Sequence, residues 1–257
     1  MHQPPARVNI LGVGVSAISL PQAVSILEQW IAERTQRYVC VTGVHGVMES
    51  QSDQELRRIH NEAGLVTPDG MPLVWISRLK GHAQVGRVYG PDLMLAFCEA
   101  SEEKGYRHFL YGGGEGVAER LASRLKGRFP RLAIAGRLCP PFRPLEPNED
   151  NEAVRYINET VPDIVWVGLS TPKQERWMRT HVGRLTAPVL VGVGAAFDFH
   201  AGLKPQAPRW IQRSGLEWSY RLLHEPRRLW RRYLFNNPRF VFLVLLQALG
   251  LRRYDLT

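Results

Sequence analysis

Short apolar runs alternate along this chain with longer stretches in which apolar residues recur every three or four positions. The runs are Tyr38–Thr42, Leu65-Val66, Tyr106–Tyr111, Leu132–Ala135, Ile164–Val167 and Val189–Val193. They read as buried strands, and Val8–Ile18, apolar with two glycines, reads as a first strand and turn. Between them Ala23, Val24, Leu27, Trp30 and Ile31 mark a helical face over 21–34. Similar periods predict helices over 44–60, 91–104, 117–128 and 149–160, and one opening at Pro172. Strands alternating with helices imply an α/β fold, a parallel sheet with helices on both faces. Four prolines, Pro140, Pro141, Pro144 and Pro147, predict an exposed loop over 139–150.

The pattern changes after Leu203. From Lys204 to Arg253 there are eleven Lys or Arg against two acids, Glu217 and Glu225, so this stretch holds the whole net charge of +9. Trp210, Trp218, Tyr220, Trp230 and Tyr233 lie among the arginines, and residues 240–251 are largely apolar. Twelve residues are too few to span a bilayer, which takes roughly 20. Basic and aromatic residues on helical segments suit an anionic membrane surface. The other reading is a solvated basic helix packed on its own domain. The chain divides accordingly into a catalytic domain, 1–203, and a basic helical appendage, 204–257.

With 257 residues, 44% hydrophobic and 22% charged, the chain can bury a substantial core. Cys40, Cys98 and Cys139 are scattered and odd in number, which suggests reduced thiols, with no disulfide framework or zinc site. Residues 1–7 lack the pattern of a signal peptide.

Candidate chemistry gathers at strand ends, where open α/β sheets bind ligands. Leu65-Val66-Thr67-Pro68-Asp69-Gly70 is a strand end running into a tight turn, followed by apolar Met71–Ile76 with an early Pro72. Asp69 either caps the next helix or carries chemistry. Gly112-Gly113-Gly114-Glu115-Gly116, between a strand and a helix, is either a phosphate cradle or a tight turn. It does not satisfy GxGxxG, and the next strand lacks a ribose-binding acid. Ser170 or Thr171 can cap the helix opening at Pro172, leaving Lys173 and Gln174 near its positive end. Asp198 and His200 are the nearest approach to a metal pair, and no D-x-D occurs, so no metal site is assigned.

Several segments together resemble the WecG/TagA/CpsF glycosyltransferases of bacterial cell-surface polysaccharide synthesis. They are Leu65–Met71, Gly90-Pro91-Asp92-Leu93-Met94, Pro162–Leu169, Pro172-Lys173-Gln174-Glu175, Gly192–Gly202, and Ala207–Trp210 through Gly215-Leu216-Glu217-Trp218 to Arg228. The resemblance implies a Rossmann-like, inverting, metal-independent transferase without a bound cofactor. Such an enzyme moves a hexose from a UDP-sugar to a polyprenyl-diphosphate-linked sugar at the cytoplasmic face of the inner membrane, in exopolysaccharide or capsule-type synthesis. By position Asp69 matches the general base. Thr42, Arg87 and Gln174 match pocket residues, and Arg221, Arg228 and Arg231 match arginines of an appendage that folds over the site. Lys173 and Gly112, Gly113 and Gly114 join the donor-binding set. The family's T-x-N pattern is broken here: Thr42-Gly43-Val44 has valine in the asparagine's place.

Inverting transfer needs a base, a nucleotide cradle and positive charge for the departing diphosphate. Burial beside Met71 and Trp75 would make Asp69 more basic. Arg221, Arg228 and Arg231, seven and three apart, would share one face of a continuous helix. Their guanidinium forks bind phosphate oxygens in pairs, and lipid headgroups are their other natural partner. The expected partners are a UDP-sugar, the lipid-linked acceptor and an anionic membrane, with a homo-oligomer left open. Two other classes are a nucleotide-dependent oxidoreductase and a basic nucleic-acid-binding module. The missing ribose acid weighs against the first. The apolar stretch beside the basic residues favours lipid over nucleic acid, so no nucleic-acid partner is expected.

Overall fold

The computed structural model describes residues 4–256, with the side chains of Arg228 and Arg232 outside that description. In chain order the elements are β1 (Arg7–Ile10), β2 (Val13–Ser16), α1 (Leu20–Ala32), β3 (Arg37–Thr42), α2 (Val44–Glu49), α3 (Gln54–Glu62), β4 (Leu65–Pro68) and α4 (Met71–Leu79). Then follow α5 (Gly90–Lys104), β5 (Arg107–Gly112), α6 (Val117–Arg128), β6 (Ala133–Leu138), α7 (Pro147–Glu159), β7 (Ile164–Gly168), α8 (Lys173–His181) and β8 (Val189–Gly192). The chain closes with α9 (Ala196–His200), α10 (Arg209–Arg213), α11 (Glu217–His224) and α12 (Pro226–Ala248).

The hydrogen-bonded strand order is β4-β3-β8-β7-β5-β6. The pairs β3–β8, β8–β7, β7–β5 and β5–β6 are parallel. The fold is α/β and Rossmann-like, a parallel sheet flanked by helices. Two compact units divide the chain: residues 1–20, 41–89 and 206–257 in one, and 21–40 and 90–205 in the other. Strand β3 crosses from one to the other after Cys40.

In the second unit the inner strands are apolar on both faces, as helix-covered parallel strands must be. Phe109, Leu110, Trp166, Val167, Val189 and Val191 are fully buried. Gly112 pairs with Gly168 at the strand ends. A Cβ on Gly112 would lie 2.7 Å from the Gly168 carbonyl oxygen, and one on Gly168 would lie 2.8 Å from the Phe197 ring. These glycines therefore let two strand ends and a helix close up. Helix α7 starts on a capping box between Glu146 and Glu149 with Pro147 at its first position, so the predicted loop ends there.

In the first unit the expected single strand before residue 18 is an antiparallel hairpin, with Ile10 paired to Val13. Leu11 and Gly12 both have positive φ, 52° and 83°, which gives a tight turn that the apolar pattern does not announce. The expected helix over 44–60 is two helices, because Asp53 is extended and its carboxylate accepts from Leu56 N–H at 2.9 Å, starting α3 afresh. The short helix α9 has no counterpart among the elements expected from the pattern.

The carboxyl-terminal stretch is three helices. A break at Glu225, followed by Pro226, separates α11 from α12. Arg221 and Arg228 thus do not share one continuous helix, contrary to the expected common face. Helix α12 buries Leu229, Tyr233, Phe240 and Leu243 on one side. Its Gln247 accepts from Leu11 N–H at 3.1 Å. The other side exposes Leu234, Val241, Phe242, Leu245 and Leu249, an apolar stripe at helical spacing. Among the described residues no helix is long and apolar enough to cross a membrane.

Candidate active site

Asp69 sits one residue beyond β4, half-buried, on the turn into α4. Its N–H donates to the Thr42 carbonyl at 3.0 Å, which ties the turn to the end of β3. The N-cap of α4 is Gly70, so Asp69 stands one residue before the cap position. Its carboxylate faces Gly43, where a Cβ would lie 3.6 Å from Oδ2. Thr42 is buried, and its methyl group presses on Gly46, where a Cβ would come within 2.9 Å. Val44, in the place of the family asparagine, is the first residue of α2.

Charged groups converge on this turn. The Arg87 Nε–H donates to the Asp69 carbonyl, Nη1 to Gln212 Oε1 at 3.3 Å, and Nη2 to Glu217 Oε2 at 2.5 Å. The same guanidinium lies over the Tyr89 ring, 4.0 Å from its centroid. Burial disfavours its charge, but Asp69 and Glu217 outweigh that, and the Arg87 pKa is raised. Arg221 behaves likewise: burial works against its charge, while Tyr233, Tyr89, Glu217 and Asp69 raise its pKa. Burial, then Glu217 and Asp69, push the Tyr89 hydroxyl well above the ordinary tyrosine range, against the pull of Arg221 and Arg87. Two carboxylates and two guanidinium groups balance in charge. Trp75, expected to shield Asp69, is 44% exposed, and its ring packs where a Cβ of Gly215 would be, at 2.6 Å. The surroundings of Asp69 are thus charged rather than apolar.

The structure brings together Asp69, Thr42, Arg87 and Arg221 of the expected set. Arg231 is exposed on α12, stacked 5.2 Å from the centroid of Trp230. Arg228 lies on α12, with its side chain outside the described part. Sequence pattern alone does not single out Tyr89, Gln212 and Glu217. Glu217 stands inside a family motif, Gly215-Leu216-Glu217-Trp218, which is the one signal that marks it within a basic tail.

The second unit has its own cluster at the carboxyl ends of β5, β7 and β8. Gly113 N–H donates to the Gly168 carbonyl at 3.0 Å, and Gly112 and Gly113 have φ of 115° and 80°. Gly114 follows, and its carbonyl accepts from Val117 N–H at the start of α6. Gln174 and Glu175 are 3% and 0% exposed in the first turn of α8. The Lys173 ammonium lies 4.6 Å from the centroid of the exposed Phe142 ring. Asp198 pairs with Lys204 at 2.9 Å, and His200 Nε2 lies 2.9 Å from the Pro91 carbonyl. Among the described residues no group of three or more His, Cys, Asp or Glu is placed to hold a metal ion. The three cysteines are free thiols.

A carboxylate on a turn at a strand's carboxyl end, with arginines around it, on a Rossmann-like sheet is an arrangement suited to a group-transfer enzyme. The chain belongs to the glycosyl transferase WecG/TagA/CpsF family, whose profile matches residues 8–254. It is a glycosyltransferase. It is 32% identical over 197 residues to an N-acetylglucosaminyldiphosphoundecaprenol N-acetyl-beta-D-mannosaminyltransferase of Bacillus spizizenii, covering 77% of this chain and 74% of that one. A Staphylococcus aureus protein of the same name is 27% identical over 239 residues, 92% of this chain and 91% of its own length. A Bacillus subtilis protein so named is 29% identical over 193 residues, 75% and 73% of the two chains.

Proposed function

We propose that this enzyme transfers a hexose, with inversion and without a metal ion or bound cofactor, from a UDP-sugar to a polyprenyl-diphosphate-linked sugar. The observation that carries the reading is Asp69, a carboxylate on the β4 turn with two arginines among its charged neighbours. The relatives' names add the acceptor class and make N-acetylmannosamine the first donor sugar to test. Asp69 takes the proton of the acceptor hydroxyl as its oxygen bonds to the anomeric carbon. The bond from that carbon to the UDP oxygen breaks, and UDP leaves with the bonding pair.

Arg221 offsets charge at the diphosphate, with Arg228 and Arg231 on α12 as further contributors. Arg87, engaged by Gln212, Glu217 and the Asp69 carbonyl, orients the catalytic turn. Thr42 supports the turn through its carbonyl. Gln174, Lys173 and the Gly112–Gly114 turn are the donor-binding candidates of the other unit.

The exposed apolar stripe of α12, beside basic residues 227, 231 and 239, supports peripheral attachment to the cytoplasmic face of the inner membrane. A polyprenyl-linked acceptor for exopolysaccharide or capsule-type synthesis would be met at that surface.

The test is transfer from a panel of radiolabelled UDP-sugars to a short-chain polyprenyl-diphosphate sugar with EDTA present. Product from one donor is expected. Activity that appears only when Mg²⁺ replaces EDTA would overturn metal independence, and silence in both would overturn the donor assignment.

A further inference from the structure

Building on the UDP-sugar reading, we propose that Glu175 is a positioning residue. It fixes the Gln174 side-chain amide so that its carbonyl oxygen is presented to an N–H or O–H donor of the nucleotide sugar.

Glu175 is fully buried and Gln174 is 3% exposed. Glu175 Oε1 accepts two hydrogen bonds, from Thr171 Oγ1 at 2.8 Å and from Gln174 Nε2 at 3.1 Å. Glu175 Oε1 is the acceptor in both bonds, so the Gln174 amide turns its nitrogen towards it and its oxygen away. This decides an orientation that a glutamine otherwise leaves open.

The oxygen so placed has no hydrogen-bond partner among the described residues, although it is buried. Buried polar atoms are nearly always paired, and a retained exception calls for a reason. If Gln174 served only to buttress the strand end, its nitrogen would suffice and the oxygen would be a standing cost.

The surrounding glycines show how closely the amide is fitted. A Cβ on Gly192 would lie 3.0 Å from Gln174 Nε2 and 2.7 Å from the Met178 methyl. One on Gly194, where φ is +50°, would lie 3.4 Å from Oε1. The nitrogen is thus held against the β8 end, and the oxygen faces the turn that follows it. That turn is at the carboxyl edge of the sheet, where ligands of α/β folds bind. A UDP-sugar offers suitable donors on its uracil, its ribose and its hexose.

The test uses the full chain and Glu175→Gln, which keeps shape and leaves the Gln174 amide free to turn. The KM for the active UDP-sugar should rise about tenfold or more, the size of a lost buried hydrogen bond. The kcat at saturating donor and the urea midpoint of unfolding should hold. Exchanging the pair, Gln174→Glu with Glu175→Gln, should restore KM. The amide introduced at position 175 would then donate to one oxygen of the carboxylate introduced at 174, leaving the other oxygen in the presented place. Calorimetric titration with UDP locates the donor. Weaker UDP binding in Glu175→Gln puts it on the nucleotide, and unchanged UDP binding with raised KM puts it on the sugar.

An unchanged KM, or a raised KM that the exchanged pair does not restore, would overturn the inference. If Glu175→Gln fails to fold, Thr171→Val removes one donor to Glu175 and should raise KM about threefold; no rise would overturn it equally. Wild type that binds no UDP and uses no UDP-sugar would instead bring down the donor reading itself, and this inference with it.

Discussion

The Arg87 guanidinium and the Glu217 carboxylate meet at 2.5 Å across 130 residues of sequence, with the two side chains only 15% and 13% exposed. The pair fastens α11 beside the Asp69 turn, because the same guanidinium also donates to the Asp69 carbonyl. Removing one partner of a buried pair strands the other charge and typically costs about 3–5 kcal/mol. Glu217→Ala should therefore lower the unfolding free energy by about 3 kcal/mol. The double variant Glu217→Ala with Arg87→Ala should lose less than the sum of the singles. Urea denaturation of the four proteins measures this. Additive losses would mean the pair is not coupled.

Asp69→Asn keeps the volume and the turn but removes the base. It should reduce kcat by a factor of about 10² to 10⁴ with an unchanged circular dichroism spectrum. Activity within about threefold of wild type would remove Asp69 from the role of base.

His108 gives the protein a pH-dependent stability unrelated to catalysis. It is fully buried, its Nδ1 accepts from the Trp166 indole at 3.0 Å, and burial lowers its pKa from 6.5 to about 3. The unfolded chain takes up a proton near pH 6.5 that the folded chain refuses until about pH 3. The contribution to stability is thus full above pH 6.5 and falls as pH drops through that window. His108→Gln retains an acceptor for Trp166 without a titrating group, so its unfolding free energy should fall less steeply from about pH 6.5 to about pH 4. Parallel slopes for the two proteins would contradict the assignment.

Phe242 and Leu245 stand on the exposed stripe of α12, at 60% and 55% exposure. Burying such a side chain is worth roughly 1.5–3 kcal/mol. Phe242→Glu with Leu245→Glu should lower partitioning onto anionic vesicles by about tenfold or more without changing the fold. Cosedimentation gives the partition coefficient, and raised salt should weaken wild-type binding by screening the basic residues. Undiminished pelleting would exclude this face from the membrane. A change in sedimentation velocity without vesicles would assign it to self-association.

The alternation of strands and helices, the sharp turn carrying Asp69 and the concentration of charge after Leu203 are all legible in the amino-acid order. They depend on neighbours within a few residues: hydrophobic period, glycine and proline backbone limits, and local charge density. The family's motifs, in their order, are legible there too. Three local breaks do not follow from the hydrophobic period: Leu11-Gly12 closes a hairpin, Asp53 starts a helix afresh, and Glu225-Pro226 separates Arg221 from Arg228. Packing between distant segments settled the rest. It directed Arg87 onto Gln212 and Glu217 and left a Gln174 oxygen buried without a partner among the described residues. The reason is physical. A guanidinium or an amide binds whatever partner folding brings within about 3 Å, and a partner 130 residues away leaves no trace in the spacing of either residue.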